Sequence, residues 1–180
     1  LKSKLDEYDW NLNVFDRNPA TALERLGETN SRCKAGGLDI TDSAALDTAL
    51  CEAHLVISMV PAHMHLNVAK ACIKHKAHLV TASYLTPEMR VLDNEARAKG
   101  LVFLNECGLD PGIDHMSAAR LLDGIRGDGG EIVLFESFTG GLLSPDSEGN
   151  NPWRYKFTWN PRNVVLAGQG GAVKFIQEGK

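Results

Sequence analysis

Between Asn11 and Leu104 the chain switches repeatedly between short apolar runs and segments whose apolar residues recur every three or four positions. That rhythm limits the fold more than any other feature. Strands that alternate with amphipathic helices bury their apolar surface best as a parallel sheet covered by helices. Strands are expected at Asn11–Asp16, Arg32–Asp39, His54–Val60, His78–Ala82 and Leu101–Leu104. The intervening helices are marked by their ends. Pro19–Leu26 is stopped by Gly27, and a second helix is capped near Asp42 or Ser43 and carries Ala45, Leu46, Ala49 and Leu50. A third presents Val68, Ala69, Cys72 and Ile73, and a fourth opens at Pro87 and ends at Gly100. Short loops and right-handed crossovers turn this series into a doubly wound α/β sheet.

After Gly124 the pattern changes. Glu131–Thr139 alternates through Ile132, Leu134, Glu136 and Phe138 and ends in Gly140-Gly141, as a strand of a mixed or antiparallel sheet does. A second domain is therefore expected there, dividing the chain into 1–128 and 129–180. The stretch from Leu142 to Asn163 is rich in Ser, Pro, Gly and Asn yet holds Trp153, Tyr155, Phe157 and Trp159, which suits an ordered binding loop better than a linker. Both termini are abrupt. Leu1 and Leu5 stand like the tail of an amphipathic helix, and Val173–Lys180 reads as a strand entering a turn, so a fragment is expected.

Composition excludes several functions. The net charge of -4 comes from interleaved acids and bases, with no basic stripe for nucleic acid and no cationic amphipathic helix for a membrane surface. No apolar run approaches the roughly 20 residues that span a bilayer. Cys33, Cys51, Cys72 and Cys107 are scattered without a C-x-x-C pair, which fits reduced thiols and a cytoplasmic setting. The sequence leaves a homodimer open.

The apolar run Leu101–Leu104 leads directly into NECGLDPGIDH, Asn105–His115. In an open α/β sheet small molecules bind outside the carboxyl ends of the strands, and a short turn of acids, glycines and a proline is placed to meet them. A plainer account also fits. Asp110 is a good N-cap and Pro111 a good first helical residue, so the pair would only start the helix that continues through Met116, Ala119 and Leu122. Ser83 and Tyr84 follow the preceding strand, and either suit a carboxylate or proton transfer or merely lead into a helix closed by Thr86 and Pro87.

Dinucleotide binding on a Rossmann-type sheet needs a glycine-rich turn after one strand and a ribose reader at the end of the next. Only the second is found: Asp16 and Arg17 stand where the reader belongs if the glycine loop lies upstream of Leu1. An aspartate would accept from a free 2′-hydroxyl and an arginine would pair with a 2′-phosphate, so NAD and NADP both remain open; the alternative is a solvated turn. The histidines carry no metal-ligand spacing. His63 and His65 lie two apart on different helix faces, and His75 and His78 straddle a helix end. His115, one turn into the helix that begins beside Asp110, could order that carboxylate or be an ordinary partly buried histidine, and the second reading is the better supported. There is no G-x-S-x-G elbow and no Walker loop.

Four segments, LVISMVPAHMH (Leu55–His65), HLVTASYLTPEM (His78–Met89), NECGLDPGIDHMSA (Asn105–Ala118) and GGLLSPDSEGNNPWRYKFTWNPR (Gly140–Arg162), resemble the saccharopine reductases, the glutamate-forming saccharopine dehydrogenases of lysine metabolism. The resemblance implies a Rossmann domain followed, near Gly129, by the start of an α+β substrate domain with a mixed sheet. It implies an NADP-dependent oxidoreductase that interconverts saccharopine with aminoadipate semialdehyde and glutamate. Carried over by position, the cofactor would touch Asp16, Arg17 and Asn18, Leu38 and Asp39, Val60, Thr81 and Ala82, Leu109, Asp110 and Pro111, and the pair Trp159-Asn160. Saccharopine would touch Ser83, Tyr84 and Asp110, with Asp110 the first candidate to meet the amine and Tyr84 the second. Asp16 beside Arg17 departs from the pattern and weakens the choice of NADP over NAD. Cys107 is expected to pack rather than react. Two rivals remain, a carboxynorspermidine-type dehydrogenase and a non-catalytic Rossmann-fold binding protein. The 180 residues alone are expected to bind NADPH weakly and to turn nothing over.

Overall fold

The computed structural model describes residues 1–138, 143–147, 149, 151–156, 161–162 and 165. After a 3₁₀ turn at Lys2–Lys4, the elements run α1 (Leu5–Tyr8), β1 (Leu12–Asp16), α2 (Pro19–Leu26), β2 (Cys33–Gly37), α3 (Ser43–Leu50), β3 (Leu55–Ser58) and α4 (His65–His75). They continue with β4 (His78–Thr81), α5 (Pro87–Val91), α6 (Asp93–Ala98), β5 (Phe103–Leu104) and α7 (Ile113–Gly127). All strand pairs among the described residues are parallel, as the alternation requires.

Helix starts follow local chemistry. Asn18 caps α2 by accepting from the amide of Ala20, with Pro19 at the first helical position, and Gly27 ends the helix at φ +73°. Asp42 caps α3 by accepting from the amides of Ala44 and Ala45. Each cap contributes about 1 kcal/mol.

The strands form two sheets rather than one: β1-β2, and β3-β4-β5. Among the described residues no ladder joins β1 to β3. The main core lies on one face of β3-β4-β5. Leu46 and Leu50 of α3, Val68, Ala69, Ala71 and Cys72 of α4, Leu79 of β4 and Met89 of α5 are buried there together. Leu79 and Cys72 are fully covered, and burial lifts the Cys72 thiol to about 12, so it acts as a small apolar group. Alternation along β3 puts Val56 against this core and leaves Leu55 and Ile57 half-exposed on the other face.

Several expectations are corrected. The single helix Pro87–Gly100 is two, α5 and α6, meeting at Leu92. The bend lets Met89 enter the main core while Ala96 joins Ile73 and Leu101 in a second cluster, and Leu92 packs against both. The fifth strand is only Phe103–Leu104. Glu131–Thr139 is not a strand over 131–138, where Val133 and Phe138 are exposed. A strand needs a ladder partner, and among the described residues none pairs with this segment. By contacts the chain divides into Leu1–Glu131 and Ile132–Lys180. In the second unit, Asn151 accepts from the amide of Trp153 and donates to the carbonyl of Tyr155, tying a short turn. Gly140-Gly141, the expected strand at 173–180 and the pair Trp159-Asn160 fall outside the described residues.

Candidate functional site

The carboxyl ends of β3, β4 and β5 lie side by side, with Ser58 paired to Thr81 and Val80 to Leu104. The segments leaving β4 and β5, residues 81–86 and 105–112, are bound to one another by backbone. Glu106 donates its amide to Ser83 O (3.0 Å) and Cys107 donates to Thr81 O (3.1 Å), which extends the ladder beyond the strands. Glu106 also receives the amide of Leu85 on Oε1 at 3.1 Å. The phenol of Tyr84 donates to Asp110 Oδ1 at 3.2 Å, closing the two loops from above.

Two glycines make this approach possible. Gly112 has φ +149°, and a Cβ there would stand 2.2 Å from Gly108 O, so only glycine fits. A Cβ on Gly108 would stand 3.0 Å from Ala82 Cβ, across the loop junction. The helix-cap role expected of Asp110 is not seen. The Asp110-Pro111 bond is cis, Gly112 is the N-cap residue of α7, and Pro111 precedes it. The first amides of α7 are satisfied elsewhere: Ile113 donates to Gly108 O, Asp114 to Leu109 O, and Gly112 to the side chain of Asp114. Asp110 is thereby free to face Tyr84.

The site is negatively charged. Burial, then the charge and hydrogen bond of Asp110, then Asp114 and Glu106, push the Tyr84 phenol above its ordinary value, so it stays a donor at neutral pH. His115 is raised above its usual range by its hydrogen bond to Asp114, with Asp110 and Glu106 adding to the effect. Burial pulls the Asp114 carboxyl upward, but the bonds from His115 and the Gly112 amide outweigh it and hold the group below the ordinary carboxylate range. Three carboxylates around one phenol suit a cationic nitrogen.

Beneath the β4 loop lies a buried polar cluster that sequence reasoning missed. His65 is buried, with Nδ1 2.8 Å from Ser58 Oγ and Nε2 2.8 Å from Ser83 Oγ. Burial lowers its pKa, which keeps the ring neutral. His63 stands exposed on the preceding 3₁₀ turn, so the two histidines do face different ways. Among the described residues no cluster of His, Cys, Asp and Glu could hold a metal, and all four cysteines are free thiols.

Apart from Val60 and the undescribed pair Trp159-Asn160, the candidates separate into two groups. Ser83, Tyr84, Asp110, Thr81, Ala82, Leu109 and Pro111 come together at the β4 and β5 ends. Within that group the Thr81 hydroxyl is turned inward, 3.2 Å from His65 and accepting from the Ser83 amide, while Leu109 is exposed and Pro111 buried. Val60 lies past the end of β3, packed on the core with Leu38. Asp16, Arg17, Asn18, Leu38 and Asp39 gather at the ends of β1 and β2. There Asp16 Oδ1 accepts the Asn18 amide at 2.8 Å, and Asp39 Oδ1 accepts from the amide and hydroxyl of Thr41. The Thr41 bonds, with a smaller contribution from Arg17, hold Asp39 below the ordinary carboxylate range. One Asp16 oxygen is thus used by its own turn, while Arg17 and Asn18 supply a guanidinium and an amide at the exposed surface. That donor set fits a 2′-phosphate.

Residues 2–104 match the family model "Saccharopine dehydrogenase NADP binding domain" and residues 108–180 match "Saccharopine dehydrogenase C-terminal domain". The chain is 41% identical over 172 residues to the saccharopine dehydrogenase [NADP(+), L-glutamate-forming] of Saccharomyces cerevisiae, covering 96% of this chain and 38% of that protein. It is 44% identical over 143 residues to the enzyme of the same name from Pyricularia oryzae, covering 79% of this chain and 31% of that one. The alpha-aminoadipic semialdehyde synthase of Arabidopsis thaliana is 44% identical over 142 residues, 79% of this chain and 13% of that protein. A solved structure of apo saccharopine dehydrogenase (L-Glu forming) from Saccharomyces cerevisiae superposes with a TM-score of 0.79 at 38% identity, over 92% of this chain and 37% of that one. The chain therefore spans about a third of the length of these fungal relatives. Among the described residues no helix is long and apolar enough to cross a membrane.

Proposed function

The chain belongs to the saccharopine dehydrogenase family, and from that premise we propose that the protein is an NADP(H)-dependent oxidoreductase of lysine metabolism. The reaction is the interconversion of saccharopine with aminoadipate semialdehyde and glutamate, by hydride transfer at a carbon–nitrogen bond. The observation that carries this reading is the Tyr84–Asp110 pair, which joins the ends of β4 and β5 amid Glu106 and Asp114.

When bound, NADPH supplies the hydride. The protein's own residues hold the other reactant and manage its charge. Condensation of the aldehyde with the amine of glutamate leaves an imine, whose nitrogen is cationic when protonated. Asp110 stabilises that cation, and Tyr84, kept protonated by its neighbours, orients the carboxylate by donating to it. Ser83 contacts a substrate carboxylate. At the other sheet, Arg17 and Asn18 would hold the 2′-phosphate of the cofactor, beside turns shaped by Asp16 and Asp39. The chain from residue 129 onward begins the substrate domain. The free thiols suit a reducing, cytoplasmic setting.

The test is a steady-state comparison in the full-length protein. Saccharopine with NADP is expected to be turned over and carboxynorspermidine is not. Asp110→Ala should lower kcat/KM by about 100-fold, the scale of a lost proton-transfer or charge-stabilising group. Unchanged turnover in that variant would remove Asp110 from the chemistry, and preference for carboxynorspermidine would replace the substrate.

A further inference from the structure

The polar cluster beneath the β4 loop contains a titratable side chain to which the proposed reaction assigns no task. His65 is 4% exposed, and a polar ring in a core costs a few kcal/mol unless its nitrogens are hydrogen-bonded. Both nitrogens are. Nδ1 lies 2.8 Å from Ser58 Oγ, and Nε2 lies 2.8 Å from Ser83 Oγ and 3.2 Å from Thr81 Oγ1. Ser58 and Thr81 are as deeply buried as the ring. Of the four side chains only Ser83 is partly open to solvent. The ring thus links the ends of β3 and β4 to one hydroxyl at the rim of the site.

We infer that His65 is a positioning residue: its Nε2–H donates to Ser83 Oγ and leaves the serine's own proton to bind a carboxylate of the substrate. The inference rests on the proposed contact between Ser83 and substrate. A neutral imidazole has one donor and one acceptor. We take the tautomer in which the Ser58 hydroxyl donates to Nδ1 and the ring proton sits on Nε2, to which Ser83 Oγ is nearer than Thr81 Oγ1. Thr81 Oγ1 accepts the Ser83 amide at 3.2 Å, so backbone and side chain of Ser83 are each held by a buried neighbour. A serine oxygen that already accepts has its hydroxyl proton available in one direction only, which is what carboxylate recognition needs. Burial keeps the ring uncharged and so preserves its single-donor pattern.

The test uses four variants of the full-length protein, with kinetics read beside thermal unfolding. Ser83→Ala is expected to raise KM for saccharopine about tenfold, the scale of a lost hydrogen bond to a charged group. His65→Leu should do the same, with kcat changed less than about twofold and KM for NADP unmoved, and the double variant should be no worse than either single one. His65→Gln places an amide nitrogen near the Nε2 position and should recover most of the loss. His65→Asn reaches only the Nδ1 side and should not. Gln and Asn both keep the site polar, so they carry the comparison if Leu prevents folding. If Gln and Asn behave alike, or if His65→Leu leaves KM unchanged while Ser83→Ala raises it, the positioning role is overturned and the substrate reading stands. If Ser83→Ala leaves KM unchanged, the contact and the positioning role fall together.

Discussion

The two groups of candidate residues are built by different means. At the ends of β1 and β2 each polar side chain is satisfied within its own turn: Asp16 by the Asn18 amide, Asn18 by the Ala20 amide, Asp39 by Thr41. At the ends of β4 and β5 the bonds join segments distant in sequence: Tyr84 to Asp110, Leu85 to Glu106, Ser83 to His65. The first arrangement leaves a mobile-length cation, Arg17, at an exposed surface that can adapt to a phosphate. The second fixes a phenol, a carboxylate and a hydroxyl on interlocked backbone. Hydride transfer tolerates little misplacement, so on the proposed reading the interlocked end is the one expected to hold the reactants.

This contrast can be broken most severely at Gly112. Gly112→Ala puts a Cβ 2.2 Å from Gly108 O at φ +149°, and the strain is expected to cost on the order of 3 kcal/mol. Urea unfolding of the full-length protein measures it, and a loss confined to a few tenths would mean that the two loops yield independently. A smaller effect is expected at the other sheet. Arg17→Ser should raise KM for NADPH about tenfold and leave KM for NADH within twofold, as loss of a phosphate partner predicts. Equal effects on both cofactors would place Arg17 away from the 2′-phosphate. Smaller again, Asn18→Ala should remove about 1 kcal/mol with the cap of α2. Because its bonds are local, it should leave KM for saccharopine unchanged, and a shift there would deny the separation of the two ends.

The same contrast decides what was legible in the sequence. The bounds of α2, a cap of α3 at Asp42 or Ser43, the parallel order of strands and the placement of Asp16, Ser83 and Asp110 at strand ends all follow from neighbours a few residues apart. His65 carried no such signal, because its partners Ser58, Thr81 and Ser83 lie on other elements and nothing local distinguishes it from exposed His63. Glu106 was equally silent, since its role depends on the amide of Leu85 and on a left-handed backbone at φ +61°. Asp110 misled for a related reason. An Asp-Pro pair before an apolar helix has cap chemistry, but Gly108 and Leu109 supply the carbonyls that bind the first α7 amides. The break at Leu92 reflects competition between two core clusters, and the alternation at 131–139 described an intrinsic preference with no ladder partner among the described residues.

The smallest expected effect separates the two ends by pH. At the β1 and β2 ends Asp39 is a carboxylate held low by Thr41. Its contribution is present above the ordinary carboxylate value of 3.8 and is lost only as pH falls through its lower folded value. The β5 end carries such a carboxylate, Asp114, together with His115, which is raised above its ordinary 6.5 by the bond to Asp114. A raised histidine stabilises fully below its unfolded value and loses that contribution as pH rises through the folded one. The His115–Asp114 pair therefore acts fully between about pH 4 and pH 6.5 and fades on the alkaline side. The difference in Tm between wild type and His115→Gln should be largest in that window and shrink toward pH 9, whereas the difference for Thr41→Val should stay flat from pH 5 to pH 9. The His115 side chain is exposed and Asp114 only partly covered, so shifts of a degree or less are expected and salt should reduce the His115 difference. If His115→Gln gives a difference that does not vary across that range, the histidine is not paired in solution, and the β5 end titrates like the β1 end.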